Sequence, residues 1–230
     1  MKKKLIIAID GPAGSGKSST AKAFAKYLNI PYIDTGAMYR ALTLKVMILN
    51  IPFKNVKQIV SLFKKTKIDL KGRDPLKQKV FLDGKDVSKA IREPELTKNV
   101  FHVAQEALIR REMVKRQRQL GKTNGAVMEG RDIGTMVFPK ADYKFYFEAK
   151  PEVRARRRQR ELLATGKKVS MAEVMKDIQK RDKTDIERKE GALRPAKDAI
   201  RLDTSELTIP QTIDKMTALM KPSHVRAVNS

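Results

Sequence analysis

The sequence predicts an α/β fold: a five-stranded parallel sheet covered on both faces by helices, with a small antiparallel β insertion. Three observations carry this prediction. Short apolar runs of strand length alternate with stretches of helical periodicity. The first apolar run ends in a glycine-rich turn that opens directly into a helical pattern. Between residues 67 and 88 the period changes to two, and Asp83-Gly84 supplies a hairpin turn.

The elements follow in order. Residues 5–9 form a buried strand, and the helix after the turn presents Ala21, Phe24, Ala25 and Leu28 on one face. Residues 31–33 form the second strand, and Asp34 is placed to cap a helix carrying Met38, Leu42, Val46 and Leu49. Residues 56–63 read as helix, and 67–70 and 79–82 as the inserted strands. Pro94 opens a long helical stretch to about residue 120, with room for a break within it and Gly121 as its C-terminal cap. Strands at 126–129, 143–147 and 199–202 complete the sheet. Helices at 151–165 and 171–183 lie between the last two strands, with a turn at Thr165-Gly166, and a final helix falls within 205–220. Residues 222–230 are expected to be a mobile tail.

The chain has 230 residues, 41% hydrophobic and 33% charged, enough for one domain with a real core. It has no cysteine, which excludes disulfides, thiolate metal sites and a cysteine nucleophile. Two histidines, His102 and His224, argue against a multi-histidine metal site. No apolar stretch approaches the roughly 18 residues of a membrane span. The three lysines before residues 5–9 imitate a secretion signal, but the apolar run is shorter than the roughly 7 residues such a signal needs. A cytoplasmic protein is expected. The formal charge of +24 implies attraction to polyanions without saying which.

Gly11-Pro12-Ala13-Gly14-Ser15-Gly16-Lys17-Ser18 fits the phosphate-binding pattern G-x-x-x-x-G-K-[ST], with a strand before it and a helix after it. Such glycines let backbone N–H groups turn toward phosphate oxygens, and the helix start adds its positive end. Lys17 reaches the β- and γ-phosphates of a bound nucleotide, Ser18 faces a Mg²⁺ ion, and Ser19 lies in the same first turn. The predicted class is therefore a P-loop NTPase fold. No Asn-Lys-x-Asp guanine signature accompanies the loop.

Three further constellations fall at strand ends or nearby. Arg40 lies early in the helix after strand two, where a guanidinium can grip a phosphate. Arg131 and Asp132 follow strand three between glycines, a phosphate clamp beside a hydrogen-bond acceptor. Arg154, Arg156, Arg157, Arg158 and Arg160 crowd one helix, and Arg181, Asp185 and Arg188 share a face of the next. The two helices sit where a closing lid is expected.

Taken as an ordered set, these residues resemble the bacterial cytidylate kinase family from residue 6 to about 219. The carrying segments are Ile9-Asp10-Gly11-Pro12, residues 34–40, Asp86-Val87-Ser88, Ile91-Arg92, Gln117-Arg118, residues 130–135, Val137-Phe138-Pro139, residues 181–188, Asp198-Ala199 and Leu202-Asp203. The resemblance implies a single domain. Its core would comprise residues 1–35, 94–150 and 190–221, with a monophosphate-binding region at 36–93 and a lid at 151–189. It implies ATP as donor with Mg²⁺, CMP or dCMP as acceptor, and a monomer. Arg40, Arg131 and Arg188 would hold the acceptor phosphate, and Asp132 and Arg110 would read the cytosine. Thr35, Arg181 and Asp185 would line the acceptor site, and Arg154, Arg157 and Arg158 would close over ATP. Lys17, Arg131, Arg158 and Arg188 would stabilise the transferring group. The sequence departs from the family at Phe101, where a serine is usual in the base pocket, and at Gly191-Ala192-Leu193, where proline usually precedes the leucine. The first opens UMP as a rival acceptor; the second is expected to matter little.

A phosphate monoester is already ionised and needs no general base, so the implied catalysis is positioning and charge stabilisation. The net charge leaves a different class open, a basic nucleic-acid-binding protein that uses its loop as a switch. Aromatics at 6% and the lack of an RNA-binding signature argue against nucleic acid as a specific partner.

Overall fold

The computed structural model describes residues 4–164 and 166–226. Five parallel strands, β1 (Ile6–Asp10), β2 (Tyr32–Asp34), β6 (Ala126–Gly130), β7 (Tyr143–Glu148) and β8 (Ile200–Asp203), form one sheet in the order β2-β6-β1-β7-β8. The central strand β1 pairs β6 on one side and β7 on the other, so the chain direction across the sheet switches at β1. The register pairs Asp10 with Gly130 and Tyr146, and Asp34 with Glu129. The loops that follow these strands therefore emerge at one edge of the sheet, the edge where ligands bind in open α/β folds.

Alternation along the strands sorts the core into two layers. Ala8, Ile33, Ala126 and Met128 face α2 (Thr35–Ile48), α3 (Val56–Lys65), α4 (Pro94–Ala104) and α5 (Ala107–Asn124). Ile7, Ile9, Val127, Phe145 and Phe147 face α1 (Lys17–Tyr27) and α8 (Ile209–Ala218). Phe24, Phe145 and Phe147 are fully buried; truncating one such ring to alanine costs about 3–5 kcal/mol.

The insertion is a three-stranded sheet of β3 (Ile68–Lys71), β4 (Lys79–Leu82) and β5 (Lys85–Asp86). The Asp83-Gly84 turn is where the sequence predicts it, and it joins β4 to the two-residue β5. Asp83 also accepts from Lys67 N at 2.9 Å, which ties the turn back to the start of β3.

Two expectations are corrected. Gly121 does not cap the long helical stretch but lies inside α5, where a side chain would collide with the Phe138 ring; the cap is Gly125 at φ +71°. The break allowed for in that stretch falls at Gln105 and Glu106, between α4 and α5. Residues 222–226, expected in a mobile tail, form α9 (Pro222–Arg226). His224 Nδ1 lies 2.8 Å from the Tyr143 hydroxyl, and Val225 packs on the second core layer. Residues 227–230, Met1 to Lys3 and Thr165 lie outside the described residues.

Helices α6 (Pro151–Leu163) and α7 (Met171–Ile186) pack through Ala155, Val174 and Ile178, a small apolar cluster separate from the two main layers. A Ser170–Glu173 capping box starts α7. No described helix is long and apolar enough to cross a membrane.

Candidate active site

At the end of β1 the chain turns through residues 11–16 and enters α1 at Lys17. Gly14 has φ +75°, and a Cβ there would stand 2.8 Å from the Arg154 carbonyl oxygen. Only glycine allows this turn to pass so close to α6. Gly16, at φ +84°, precedes α1 without a side-chain cap, so no side chain satisfies the first N–H groups of the helix. These donors and the helix dipole make an anion site.

Lys17 is buried, and its Nζ donates to Pro12 O at 2.6 Å and lies 3.4 Å from Ser15 Oγ. Burial, helped by Arg131, pushes its amine down to about 7, while Glu129, Asp185 and Asp10 oppose the shift. Asp10 accepts from Ile133 N at 2.8 Å and Gly134 N at 2.7 Å. It thereby docks a single π-turn, Ile133–Val137, onto the end of β1. Burial pushes the Asp10 carboxyl up to about 7 against the pull of those two N–H donors. The Thr204 hydroxyl lies 2.9 Å from Ser15 O and links the loop to the end of β8. Ser18 and Ser19 are exposed in the first turn of α1.

Opposite the loop, Asp185 on α7 bridges two arginines. One carboxylate oxygen accepts from Arg131 Nε at 2.6 Å and the other from the Arg188 guanidinium at 2.5 Å. Although burial works against it, the two cations hold the Asp185 carboxyl below its ordinary range. Arg40 lies next to Gly36 and Asp34 at the start of α2, and burial together with Arg181, Arg92 and Arg131 lowers its pKa. Arg40 Nε and Arg188 Nε are buried with no hydrogen-bond partner. A cluster of guanidinium groups with unmet donors is suited to a multiply charged anion.

Arg110 and Asp132 form a buried ion pair under this cluster, and the Arg110 guanidinium lies 5.6 Å from the Tyr39 ring centre and donates to Ala104 O at 3.0 Å. Tyr39 and Asp132 raise the Arg110 pKa despite burial. Gly191, at φ +70°, packs directly on the pair, and a Cβ there would overlap both side chains. Gly191 directly precedes Ala192, the position where the family usually has proline.

The structure brings together Lys17, Arg131, Asp132, Asp185 and Arg188, with Arg40 and Arg110 beside them. The other expected residues have partners of their own. The Thr35 hydroxyl donates to Glu129 O at 2.7 Å and holds α2 to β6. Arg181 pairs with Asp177 at 3.0 Å on its own helix. Arg158 pairs with Glu161 at 2.9 Å, its Nε buried and unpartnered. Arg157 stands over Gly16 and donates to Thr204 O at 2.6 Å. Arg154 is buried and internally paired with Asp182 at 2.7 Å. Phe101 is 43% exposed, its ring against His102, which stacks on Phe53 at 4.9 Å.

Sequence reasoning missed Asp10, Glu129, Asp182 and Thr204 as parts of the site. Asp10 had a signal, an acidic residue at the end of a buried strand directly before the loop. Glu129, held by the Tyr32 hydroxyl at 2.8 Å, had a similar one. Asp182 fell within the charged run at residues 181–188, but neither its partner nor that of Thr204 was legible, because those partners lie 28 and 189 residues away in sequence.

Among the described residues no cluster of three or more Asp, Glu or His can cage a metal. The exposed Ser18 hydroxyl at the mouth of the loop fits Mg²⁺, a hard cation that takes most of its ligands from phosphate oxygens and water.

A family model described as cytidylate kinase matches residues 7–222. A protein of Desulfitobacterium hafniense (strain Y51) named cytidylate kinase is 45% identical over 233 residues, covering all of both chains. A cytidylate kinase of Bacillus cereus (strain B4264) is 43% identical, covering 96% of this chain and 97% of its own. In Synechococcus sp. (strain JA-3-3Ab) a bifunctional pantoate ligase/cytidylate kinase is 45% identical over 94% of this chain but only 40% of its own length. The matching unit thus also occurs joined to a second activity.

Proposed function

The chain belongs to the cytidylate kinase family, and from that premise we propose that it transfers the γ-phosphoryl group of ATP to CMP or dCMP, releasing ADP and CDP or dCDP. The observation that carries the reading is the convergence of two phosphate sites at one sheet edge. The glycine-rich loop and Lys17 form one, and the Asp185-bridged arginines Arg131 and Arg188 form the other.

ATP binds with its phosphates against the loop N–H groups, and Lys17 reaches the β- and γ-oxygens. Ser18 supplies a ligand to Mg²⁺, which neutralises phosphate charge when bound. The acceptor phosphate enters between Arg40, Arg131 and Arg188 and displaces the Asp185 carboxylate from its guanidinium partners. One of its oxygens attacks the γ-phosphorus, the bond to the β-bridging oxygen breaks, and ADP leaves with that electron pair. No proton has to be removed from the nucleophile. Lys17 and the arginines stabilise the oxygens of the transferring group. Asp132, fixed by Arg110, offers a carboxylate oxygen to the 4-amino group of cytosine, a donor that uracil lacks. Closure of α6 and α7 excludes water, which would otherwise take the phosphoryl group. Both half-sites come from this one chain, so the proposed reaction needs no residue from a second copy.

A coupled ADP-release assay with ATP·Mg²⁺ against CMP, dCMP, UMP, AMP, GMP and dTMP tests the reading. Turnover confined to CMP and dCMP upholds it. UMP-led turnover moves the base assignment to the Phe101 side of the pocket. No turnover with any acceptor removes the kinase reading and brings the nucleic-acid switch forward.

A further inference from the structure

Arg154 occupies a position that the phosphate chemistry does not account for. Its guanidinium lies between three segments of the molecule. It donates to Ala13 O in the phosphate loop at 3.2 Å and to Ala149 O at the end of β7 at 3.1 Å, and it pairs with Asp182 on α7 at 2.7 Å. The two side chains are 7% and 19% exposed. The Arg154 backbone also abuts Gly14, so the contact with the loop is made twice. Asp182 lies one helical turn before Asp185, which holds Arg131 and Arg188.

We propose that the Arg154–Asp182 pair is a positioning element that sets the distance between the donor loop and the acceptor-holding face of α7. Arg154 is a positioning residue rather than a contact to ATP. Its Nη1 nitrogen donates to the loop carbonyl and is also the atom ion-paired to the α7 carboxylate, while Nε is held by Ala149 O, so a shift of either surface bears on the other. In-line phosphoryl transfer needs the two phosphates aligned to within a fraction of a bond length, and a displacement of about 1 Å costs on the order of 10²-fold in rate. A short, largely buried ion pair, with the guanidinium also fixed by two backbone carbonyls, is stiff enough to hold that distance. The inference rests on the kinase reading. Failure of that reading shows as no ADP release by the unaltered protein, whereas failure of this one shows only among variants of an active enzyme.

The test compares Asp182→Asn, Arg154→Met and the double variant Arg154→Met/Asp182→Leu in the full chain. Lys183→Met, an exposed residue of the same helix, serves as control. With Asp182→Asn, kcat falls about 10- to 100-fold, and KM for ATP and for CMP each stays within about threefold. Inorganic phosphate rises relative to CDP as water reaches the misaligned γ-phosphate. The double variant replaces both charges by apolar groups, so its Tm returns toward that of the unaltered protein while kcat stays low. Lys183→Met leaves all of these unchanged. The proposal is overturned if Asp182→Asn keeps kcat within twofold. It is equally overturned if Arg154→Met raises KM for ATP with kcat unchanged, which would make Arg154 a donor contact. Recovery of kcat together with Tm in the double variant would reduce the pair to a stability element.

Discussion

The two proposed phosphate sites are built on opposite principles. The donor loop is local: residues 11–19 contain its glycines, its lysine and the helix start, and backbone conformation does most of the recognition. The acceptor site is assembled at a distance. Arg40 comes from α2, Arg110 from α5, Arg131 and Asp132 from the turn after β6, Asp185 from the last turn of α7 and Arg188 from just beyond that helix. The donor loop leaves backbone N–H groups open for an anion. The proposed acceptor site fills its own need with a protein carboxylate, since Asp185 occupies two of the arginines assigned to the phosphate in the proposed reaction. A backbone cradle is held by sterics and stands ready without ligand. A cluster of cations would repel itself, so it needs an internal counter-ion that a stronger anion can replace.

This contrast orders the predictions. Lys17→Ala attacks the donor side at the point where charge develops, and kcat should fall on the order of 10³-fold or more. A variant within about fivefold of the unaltered enzyme would remove Lys17 from that role. Asp132→Ala attacks the acceptor side. It leaves Arg110 buried without its partner, which costs about 3–5 kcal/mol of stability by denaturant titration. It should also lower the CMP-to-UMP ratio of kcat/KM by about 10- to 100-fold while KM for ATP holds. Equal losses toward CMP and ATP would place Asp132 outside the base pocket.

A smaller effect separates the two sites by their protons. In the free protein burial brings the Lys17 amine down to about 7 and the Asp10 carboxyl up to about 7. Phosphates bound beside them add negative charge, which favours the protonated form of both groups and raises both pKa values. Binding of ATP·Mg²⁺ near pH 7.5 should therefore take up protons, and its affinity should weaken as pH rises through that range. Calorimetry in buffers of different ionisation enthalpy measures the uptake, and Lys17→Met should diminish it. Proton release on binding would contradict the sign.

How much of this was legible in the sequence follows the same division. The phosphate loop was readable because its motif, preceding strand and following helix are contiguous. The five strands fall within a residue or so of their expected places, because a buried parallel strand is a short apolar run between turns. Gly121 misled because a glycine inside a helix looks like a cap until the Phe138 ring that requires it is in view. The arginine-rich helix misled in a similar way. Arg154, Arg157 and Arg158 are alike in sequence, but one is buried between the loop and α7, one is tied to Thr204 and one keeps a neighbouring glutamate. Which arginine meets which carboxylate is decided by the packing of α6 on α7 and of both on the loop, and spacing within one helix carries no record of that. The contact of Gly191 with the Arg110–Asp132 pair is hidden for the same reason, since the three residues lie on three separate segments.

The central claim is that the two half-sites bring two phosphates together and keep water out. Single-turnover transfer from γ-labelled ATP·Mg²⁺, with enzyme in excess and with or without CMP, tests it most directly. The account predicts that with CMP the label appears in CDP in step with ADP, and that without CMP little inorganic phosphate forms on the same timescale. Label released as inorganic phosphate at a rate indifferent to CMP would contradict it.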